Sequence, residues 1–234
     1  MTGEKPKALI SWSSGKDSAY ALYEVRRAGE FDVVGALTTV TENFGRVSVH
    51  GVREEILAAQ LAAAGLPPTI VPIPYPCPNE IYEARMGEAI ARAKAQGITH
   101  MIFGDLFLED IRKYREEKLR GSGITPVFPL WLRPTPQLAR DMIESGLETF
   151  IATVDLKKLP AGFAGRRFDA QLLADLPASV DPCGENGEFH TCVVGGPMFS
   201  RTLPVVTGER VERDGYAYCD LLLNVPAEGR ARAG

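Results

Sequence analysis

The sequence predicts an α/β protein: a parallel sheet flanked by helices, joined to a smaller α+β C-terminal domain. Three observations carry this. Short apolar runs alternate four times with stretches of helical period between residues 7 and 103, and that alternation is the mark of a parallel sheet covered on both faces. Polar clusters follow three of the runs, at the strand ends where such sheets bind ligands. Beyond a proline-crowded stretch around residue 130 the chain ends in mainly β-like segments.

The elements follow in order. Residues 7–12 read as a buried strand and 18–28 as a helix closed by Gly29. Residues 33–40 form a second, β-branched strand, followed by a polar loop from Thr41 to His50. Val52, Ile56, Ala59 and Ala63 recur at helical spacing until Gly65-Leu66-Pro67. Thr69–Ile73 is a third strand, with Pro72 and Pro74 marking its end or an exposed edge. Asn79 is placed to cap a helix reaching Ala95, with Ile81, Met86, Ala89, Ile90 and Ala93 as its apolar stripe and Gly97 as its stop. A fourth strand, 98–103, ends at Gly104-Asp105. The helix 108–119 alternates charges as a solvated face does, although Arg112 and Arg115 begin near a ligand end and are within reach of a phosphate.

Pro126, Pro129, Pro134 and Pro136 mark the junction, giving expected domains 1–130 and 131–224 and a disordered tail at 225–234. The second domain reads as a helix at 137–144, a strand at 149–154, a helical segment at 168–176, and β-like segments at 189–194, 205–207 and 216–223.

Bulk properties restrict the function classes. The chain has 234 residues, 45% hydrophobic and 24% charged, with a net charge of −4. That balance is a soluble globular protein's, and it argues against a nucleic-acid partner. No apolar run is long enough for a membrane span, and the N-terminus lacks a signal-peptide core, so a cytoplasmic protein is expected. Cys77, Cys183, Cys192 and Cys219 form no Cys-x-x-Cys pair, so buried free thiols are expected rather than a zinc or thioredoxin-like site.

The chemistry centres on Ser13-Ser14-Gly15-Lys16-Asp17-Ser18, a small-residue turn between strand and helix. Such a turn lets backbone N–H groups and a helix N-terminus approach an anion, and Lys16 adds a full charge. It is not a Walker A loop, because Ile10 and Asp17 stand where Gly and Ser or Thr are required. It is not a nucleophile elbow either, since Ser11 replaces the first glycine. It resembles the PP-loop of the N-type ATP pyrophosphatases, Ser-Gly-Gly-x-Asp-Ser, with Ser14 in place of one glycine. On these six residues alone, an ordinary βα turn capped by Asp17 or Ser18 stays open.

A second constellation is Asp181-Pro182-Cys183-Gly184-Glu185-Asn186-Gly187-Glu188-Phe189-His190-Thr191. Strand alternation puts Glu188 and His190 on one face. A polar hairpin turning at Asn186-Gly187 is the plain alternative. Together with the first loop, the run Gly104-Asp105-Leu106-Phe107-Leu108-Glu109-Asp110, His50-Gly51-Val52-Arg53 and Gly-Pro-Met-Phe at 196–199, it resembles the diphthine–ammonia ligase family of PP-loop ATPases from about residue 7 to 223.

That resemblance implies a Rossmann-like, HUP-type nucleotide-binding domain and a C-terminal domain, with the site between them. It implies ATP and Mg²⁺, adenylation of a substrate carboxylate with release of pyrophosphate, then attack by ammonia to give an amide and AMP. Ser13, Ser14, Gly15, Lys16, Asp17 and Ser18 are then expected at the pyrophosphate, with Asp17 and Asp105 near the metal. The backbone near Thr38 and the His50-Gly51 segment are expected near adenine or ribose, Gly104 among the nucleotide-binding residues, and Lys16 and Asp105 as catalytic groups, Asp105 near the metal or the reacting centre. Glu185, Glu188, His190 and Thr191 are expected to face the acceptor acid or ammonia, with Glu188 or His190 relieving ammonium of its proton. The acceptor is a protein side chain or a small molecule, and a homodimer stays open. Two other readings remain: a tRNA-modifying PP-loop enzyme, with Cys183 as its thiol, and a non-catalytic ATP or AMP sensor.

Overall fold

The computed structural model describes residues 4–48 and 50–224; the tail expected to be disordered at 225–234 lies outside the described residues. The first sheet holds β1 (Lys7–Ser11), β2 (Asp32–Thr41), β3 (Arg46–Val47), β4 (Pro68–Ile73), β5 (His100–Ile102) and β6 (Thr125–Val127). β1 lies between β2 and β5, β4 pairs β2 and β6 pairs β5, all in parallel, while β3 adds an antiparallel step to the end of β2. The helices are α1 (Lys16–Ala28), α2 (Glu54–Ala64), α3 (Asn79–Ala95) and α4 (Glu109–Leu119). The chain winds outward from β1 through β2 to β4, then returns to β5 on the other side of β1. The reversal falls between β1 and β5, whose outgoing loops therefore share the crevice that open α/β sheets use for ligands.

Alternation along β1 decides which helices cover which face. Ala8, Ile10 and Trp12 join α1 and α2 in one core, whereas Leu9 joins Leu37, Met101 and residues of α3 and α4 in another. α1 and α2 stop where glycine relieves the left-handed turn, at Gly29 (φ 68°) and Gly65 (φ 66°).

The second half adds α5 (Thr135–Glu144), β7 (Glu148–Asp155), a 3-10 turn at Ala161–Phe163, α6 (Ala170–Asp175), β8 (Phe189–Gly195), β9 (Val205–Arg213) and β10 (Tyr216–Leu223). Its four strands form an antiparallel sheet in the order β8-β7-β10-β9. This sheet does not keep a core of its own. Phe150, Ile151, Cys192 and Val194 continue the cluster that contains Ile10, Leu22 and Ile56.

Four expectations change in detail. Pro126 sits inside a strand, β6, which is tolerated because β6 pairs only with β5. Asn79 is the first helical residue and bonds Glu83, while Pro78 takes the cap position. Ile81 is exposed rather than part of a buried stripe. β9 runs six residues beyond 207, its polar and largely exposed end held by backbone pairing with β10 rather than by an apolar pattern.

Candidate active site

The loop after β1 is closed by its own hydroxyls. Ser13 and Ser18 share a hydrogen bond at 3.2 Å, and Ser18 Oγ donates to the Gly15 carbonyl at 3.0 Å. Ser14 adopts a left-handed backbone (φ 69°), the conformation the missing glycine would take without strain. Two glycines permit the packing around it. A Cβ on Gly104 would stand 2.7 Å from the Asp17 carbonyl carbon and 2.8 Å from the Ser18 nitrogen, and one on Gly15 would stand 2.6 Å from His50 Cε1. Gly104 is thus the point where the end of β5 meets the first turn of α1.

The outer edge of the second sheet clamps this loop. The Val193 N–H donates to the Ser14 carbonyl at 2.9 Å, and the Lys16 N–H donates to Thr191 Oγ1 at 3.0 Å. His50 Nδ1 lies 3.0 Å from the Thr191 carbonyl, which fixes Nδ1 as the protonated nitrogen. Thr191, expected at the acceptor, therefore stands at the loop itself. The Gly-Pro-Met-Phe segment serves the same junction: Arg26 bonds the Met198 carbonyl at 3.2 Å, and Phe199 packs on Trp12 with ring centroids 6.1 Å apart.

The charges are arranged in pairs. Lys16 is 2% exposed, its Nζ bonds both Asp17 oxygens at 2.9 and 2.8 Å, and the Phe168 and Phe189 rings lie 5.8 and 5.6 Å away. Burial pulls its pKa down most, but the charge and hydrogen bonds of Asp17, with Cys183 and Glu185, together hold it above the ordinary value. Asp105 is gripped the same way, by Arg115 Nε at 2.6 Å and Nη2 at 3.1 Å. Arg112, the other arginine considered for phosphate, lies over the Phe128 and Trp131 rings at 4.9 and 4.7 Å.

The two glutamates of the second constellation part company. Glu188 is buried and its Oε1 accepts from the Asp181 N–H and from Asn186 Nδ2, both at 3.1 Å. Asp181 Oδ2 in turn accepts from the N–H groups of Cys183 and Glu185, at 3.2 and 2.9 Å. Both carboxylates brace the loop, while Glu188 Oε2 stays buried with no partner among the described residues. Glu185 reaches across instead: its Oε1 accepts the Leu106 N–H at 2.8 Å. Burial, reinforced by the charges of Asp17 and Asp105, pushes its pKa up to about 7. His50 and His190 stack with ring centroids 4.9 Å apart, and burial holds their pKa values down to about 4 and about 3, so both are neutral at pH 7. The Cys183 thiol is buried, faces the Thr135 carbonyl at 3.5 Å, and burial raises its pKa, so it offers no thiolate.

A cavity of about 820 Å³ opens beside the loop, between the sheet and helices α3 and α4; Ser13, Thr39, His50, Met86, Phe103 and Arg115 line it. Gly87, in the middle of α3, also lines it and has nothing within 4 Å of where a Cβ would stand. Thr38 turns inward, donating to the Trp12 carbonyl at 2.9 Å, so its neighbour Thr39 takes the cavity position. Gly51 gives its carbonyl to Arg46 at 2.7 Å, inside a network in which Arg46 and Arg53 hold Asp220 of β10 at 2.6 to 3.1 Å.

The structure thus gathers Ser13–Ser18, His50, Gly104, Asp105, Glu185, His190 and Thr191 into one region, while the Thr38 side chain and the Gly51 carbonyl serve the framework; Glu188 gives Oε1 to the loop and keeps Oε2 buried with no partner among the described residues. The residues fit a nucleoside triphosphate: a small-residue loop at a helix start, the buried Lys16 and partly buried Arg115, and a cavity of mixed apolar and polar lining beginning at Ser13. Among the described residues no group of three or more His, Cys, Asp or Glu side chains could hold a metal ion. Asp17 and Asp105 suit Mg²⁺ only as a pair of carboxylates completed by phosphate oxygens. Gln60 escaped the sequence reading. It is fully buried on α2, bonds Trp12, Ser14 and Val193, and its signal was a polar residue four places after Ile56 on an apolar stripe.

Comparison with known families finds two matches in order: residues 6–126 match the diphthamide synthase N-terminal domain and residues 134–224 the diphthamide synthase C-terminal domain. Among curated proteins, the chain is 28% identical over 110 residues to a diphthine–ammonia ligase of Schizosaccharomyces pombe, covering 45% of this chain and 18% of that protein. It is 29% identical over 117 residues to the diphthine–ammonia ligases of Rattus norvegicus and Homo sapiens, covering 47% of this chain and 44% of each of them. The matched region thus spans less than half the length of these curated relatives.

Proposed function

The chain belongs to the diphthamide synthase family, and from that premise we propose that it is an ATP-dependent ligase that adenylates a substrate carboxylate and amidates it with ammonia, releasing AMP and pyrophosphate. The observation that carries this reading is Glu185, a carboxyl with a pKa of about 7 bonded across to Leu106, directly after Gly104-Asp105 and within the field of the Lys16–Asp17 pair. An amide-forming site needs a group that accepts a proton as nitrogen adds to the activated acid, and a carboxyl half-ionised at neutral pH suits that task. His190 suits it poorly, because an imidazole with a pKa of about 3 is a weak base. We therefore assign the proton role to Glu185 and a neutral, hydrogen-bonding role to His50 and His190.

In this reading Ser13, Ser18 and the N-terminus of α1 bind the polyphosphate, and the cavity beside Thr39 and Met86 takes the nucleoside. Lys16 and Arg115 neutralise the phosphate charge by exchanging Asp17 and Asp105 for phosphate oxygens. The two carboxylates so released would hold Mg²⁺, whose contribution when bound is to withdraw electron density from the phosphates. Phe168 and Phe189 keep water from the Lys16 ammonium, which strengthens its pull on an anion. The acceptor is a diphthine-like or other carboxylic acid. We place the protein in the cytoplasm; no helix among the described residues is long and apolar enough to cross a membrane.

The test is an incubation with Mg-ATP, ammonium and a pool of carboxylic acids and protein extracts, following AMP and pyrophosphate. Acid-dependent AMP release is expected, lost in Lys16→Ala and reduced about 100-fold or more in Glu185→Gln. ATP binding with no turnover under any condition would favour a sensor. ATP binding that survives alanine at Ser13, Lys16 and Asp17 together would remove the phosphate-loop assignment.

A further inference from the structure

We propose that Gln60 is the positioning residue of the phosphate loop, holding the Ser14–Gly15 peptide in its anion-facing orientation and thereby compensating for serine where the related loop carries glycine. This rests on the ATP-binding reading above and extends it to a residue that touches no ligand.

Ser14 is costly on two counts. Its left-handed backbone (φ 69°) strains a residue with a Cβ. Its hydroxyl is also buried and has no hydrogen-bond partner among the described residues. Such a residue persists only where its surroundings over-determine it. Here the Ser14 carbonyl receives two donors, Gln60 Nε2 at 3.1 Å and the Val193 N–H at 2.9 Å. The Gln60 amide has no slack: its second N–H goes to the Val193 carbonyl at 2.6 Å and its oxygen accepts Trp12 Nε1 at 3.1 Å. It therefore joins the residue before the loop, the loop carbonyl and the clamping strand β8 in one rigid fork.

The consequence for an anion follows from peptide geometry. The 14–15 peptide is planar and trans, so a carbonyl held toward Gln60 turns the Gly15 N–H to the opposite side. That side carries Ser13 Oγ, 3.4 Å from the Gly15 nitrogen, and Ser13 lines the cavity. Without Gln60, Ser14 can relax out of the left-handed region and rotate this N–H away; a glycine at 14 has no such incentive.

The experiment is a double-mutant cycle on ATP dissociation constants, measured calorimetrically for the parent, Gln60→Met, Ser14→Gly and the double variant. Gln60→Met is expected to weaken ATP about 10-fold or more with serine at 14, and less than about threefold in the Ser14→Gly background, since one tenfold step equals the net worth of a hydrogen bond. Equal losses in both backgrounds would overturn the proposal, because a merely structural glutamine would not depend on residue 14. A crystal structure of Gln60→Met reads the torsion without ATP: Ser14 is expected to leave the left-handed region, and a retained positive φ overturns the inference. If the parent protein binds no ATP, the ligase reading fails while the torsion still decides the role of Gln60. Should Gln60→Met fail to fold, Trp12→Phe combined with Gln60→Met removes the indole N–H it orphans and enters the same comparison.

Discussion

Thr191 Oγ1 accepts the backbone N–H of Lys16 at 3.0 Å, so a side chain of the second sheet satisfies a donor at the first residue of α1. That N–H belongs to a helix start, where no intrahelical acceptor exists. Thr191→Val is expected to destabilise the protein by about 1–2 kcal/mol, the cost of leaving a buried donor unpaired. Thr191→Ser should recover most of it. Urea unfolding checks this: the midpoint should fall in the valine variant with the slope unchanged.

Glu185 gives a pH signature of known sign. Its pKa rises on folding from about 4.5 to about 7, so the folded state binds the extra proton. Its contribution to stability is complete below pH 4.5 and is lost as pH rises to about 7. In Glu185→Gln, the fall in stability across that window should flatten in denaturant titrations at stepped pH. The acidic limb of the ligase pH profile should disappear with it; a limb near pH 7 that survives the glutamine would assign the base elsewhere.

The histidines act in the opposite direction. Burial lowers His50 to about 4 and His190 to about 3. The unfolded chain therefore takes up protons first, and stability contributed by the neutral rings falls as pH drops below about 6.5 toward those values. Imidazole carbon resonances of both residues should stay flat from pH 8 to about 5.5, where an ordinary histidine would be largely protonated. A ring that titrates near pH 6.5 would show that it is not shielded as the structure has it.

Gly104→Ala should be severe. The added methyl would lie 2.7 to 2.9 Å from backbone atoms of Asp17 and Ser18, and backbone cannot swing aside as a side chain can. Overpacking of this kind costs about 1–3 kcal/mol, and here it displaces the start of α1. Thermal melts should show a lower midpoint, and ATP-induced stabilisation should shrink or vanish. Gly15→Ala meets a ring atom of His50 instead, so pairing it with His50→Ala should restore more stability than the same pairing does for Gly104→Ala.

Much of this was legible in the chain. The order of apolar runs and glycine stops gave the parallel sheet because local pattern and global fold agree there. The loop at 13–18 and its neighbour at 104–105 were visible because switch-point geometry follows from topology alone. The difference between Glu185 and Glu188 is not visible in the chain: both are glutamates in one loop, and only the fold gives Glu188 Oε1 to Asp181 and Asn186 while Glu185 reaches across to Leu106. The bond from the Lys16 N–H to Thr191 is not legible either, because nothing in sequence brings β8 against α1 across 175 positions. The role of Gln60 is not legible in the chain, because a polar residue on a buried stripe has no readable partner until Ser14 and Val193 are in place.

The core that runs unbroken from Ile10 and Leu22 to Phe150 and Val194 has a consequence for how the molecule comes apart. Two modules with separate cores can melt independently, but here neither half can open without exposing the other's apolar face. Denaturation should therefore be a single cooperative transition, with no intermediate in which one sheet survives alone. A fragment cut near residue 130 would carry α1 and α2 uncovered and should bind hydrophobic dyes or aggregate. ATP bound at the loop would then protect the buried amides of β7 and β8 from exchange as it protects those of α1, because these exchange through the same global opening, while the exposed edge strand β9 exchanges locally.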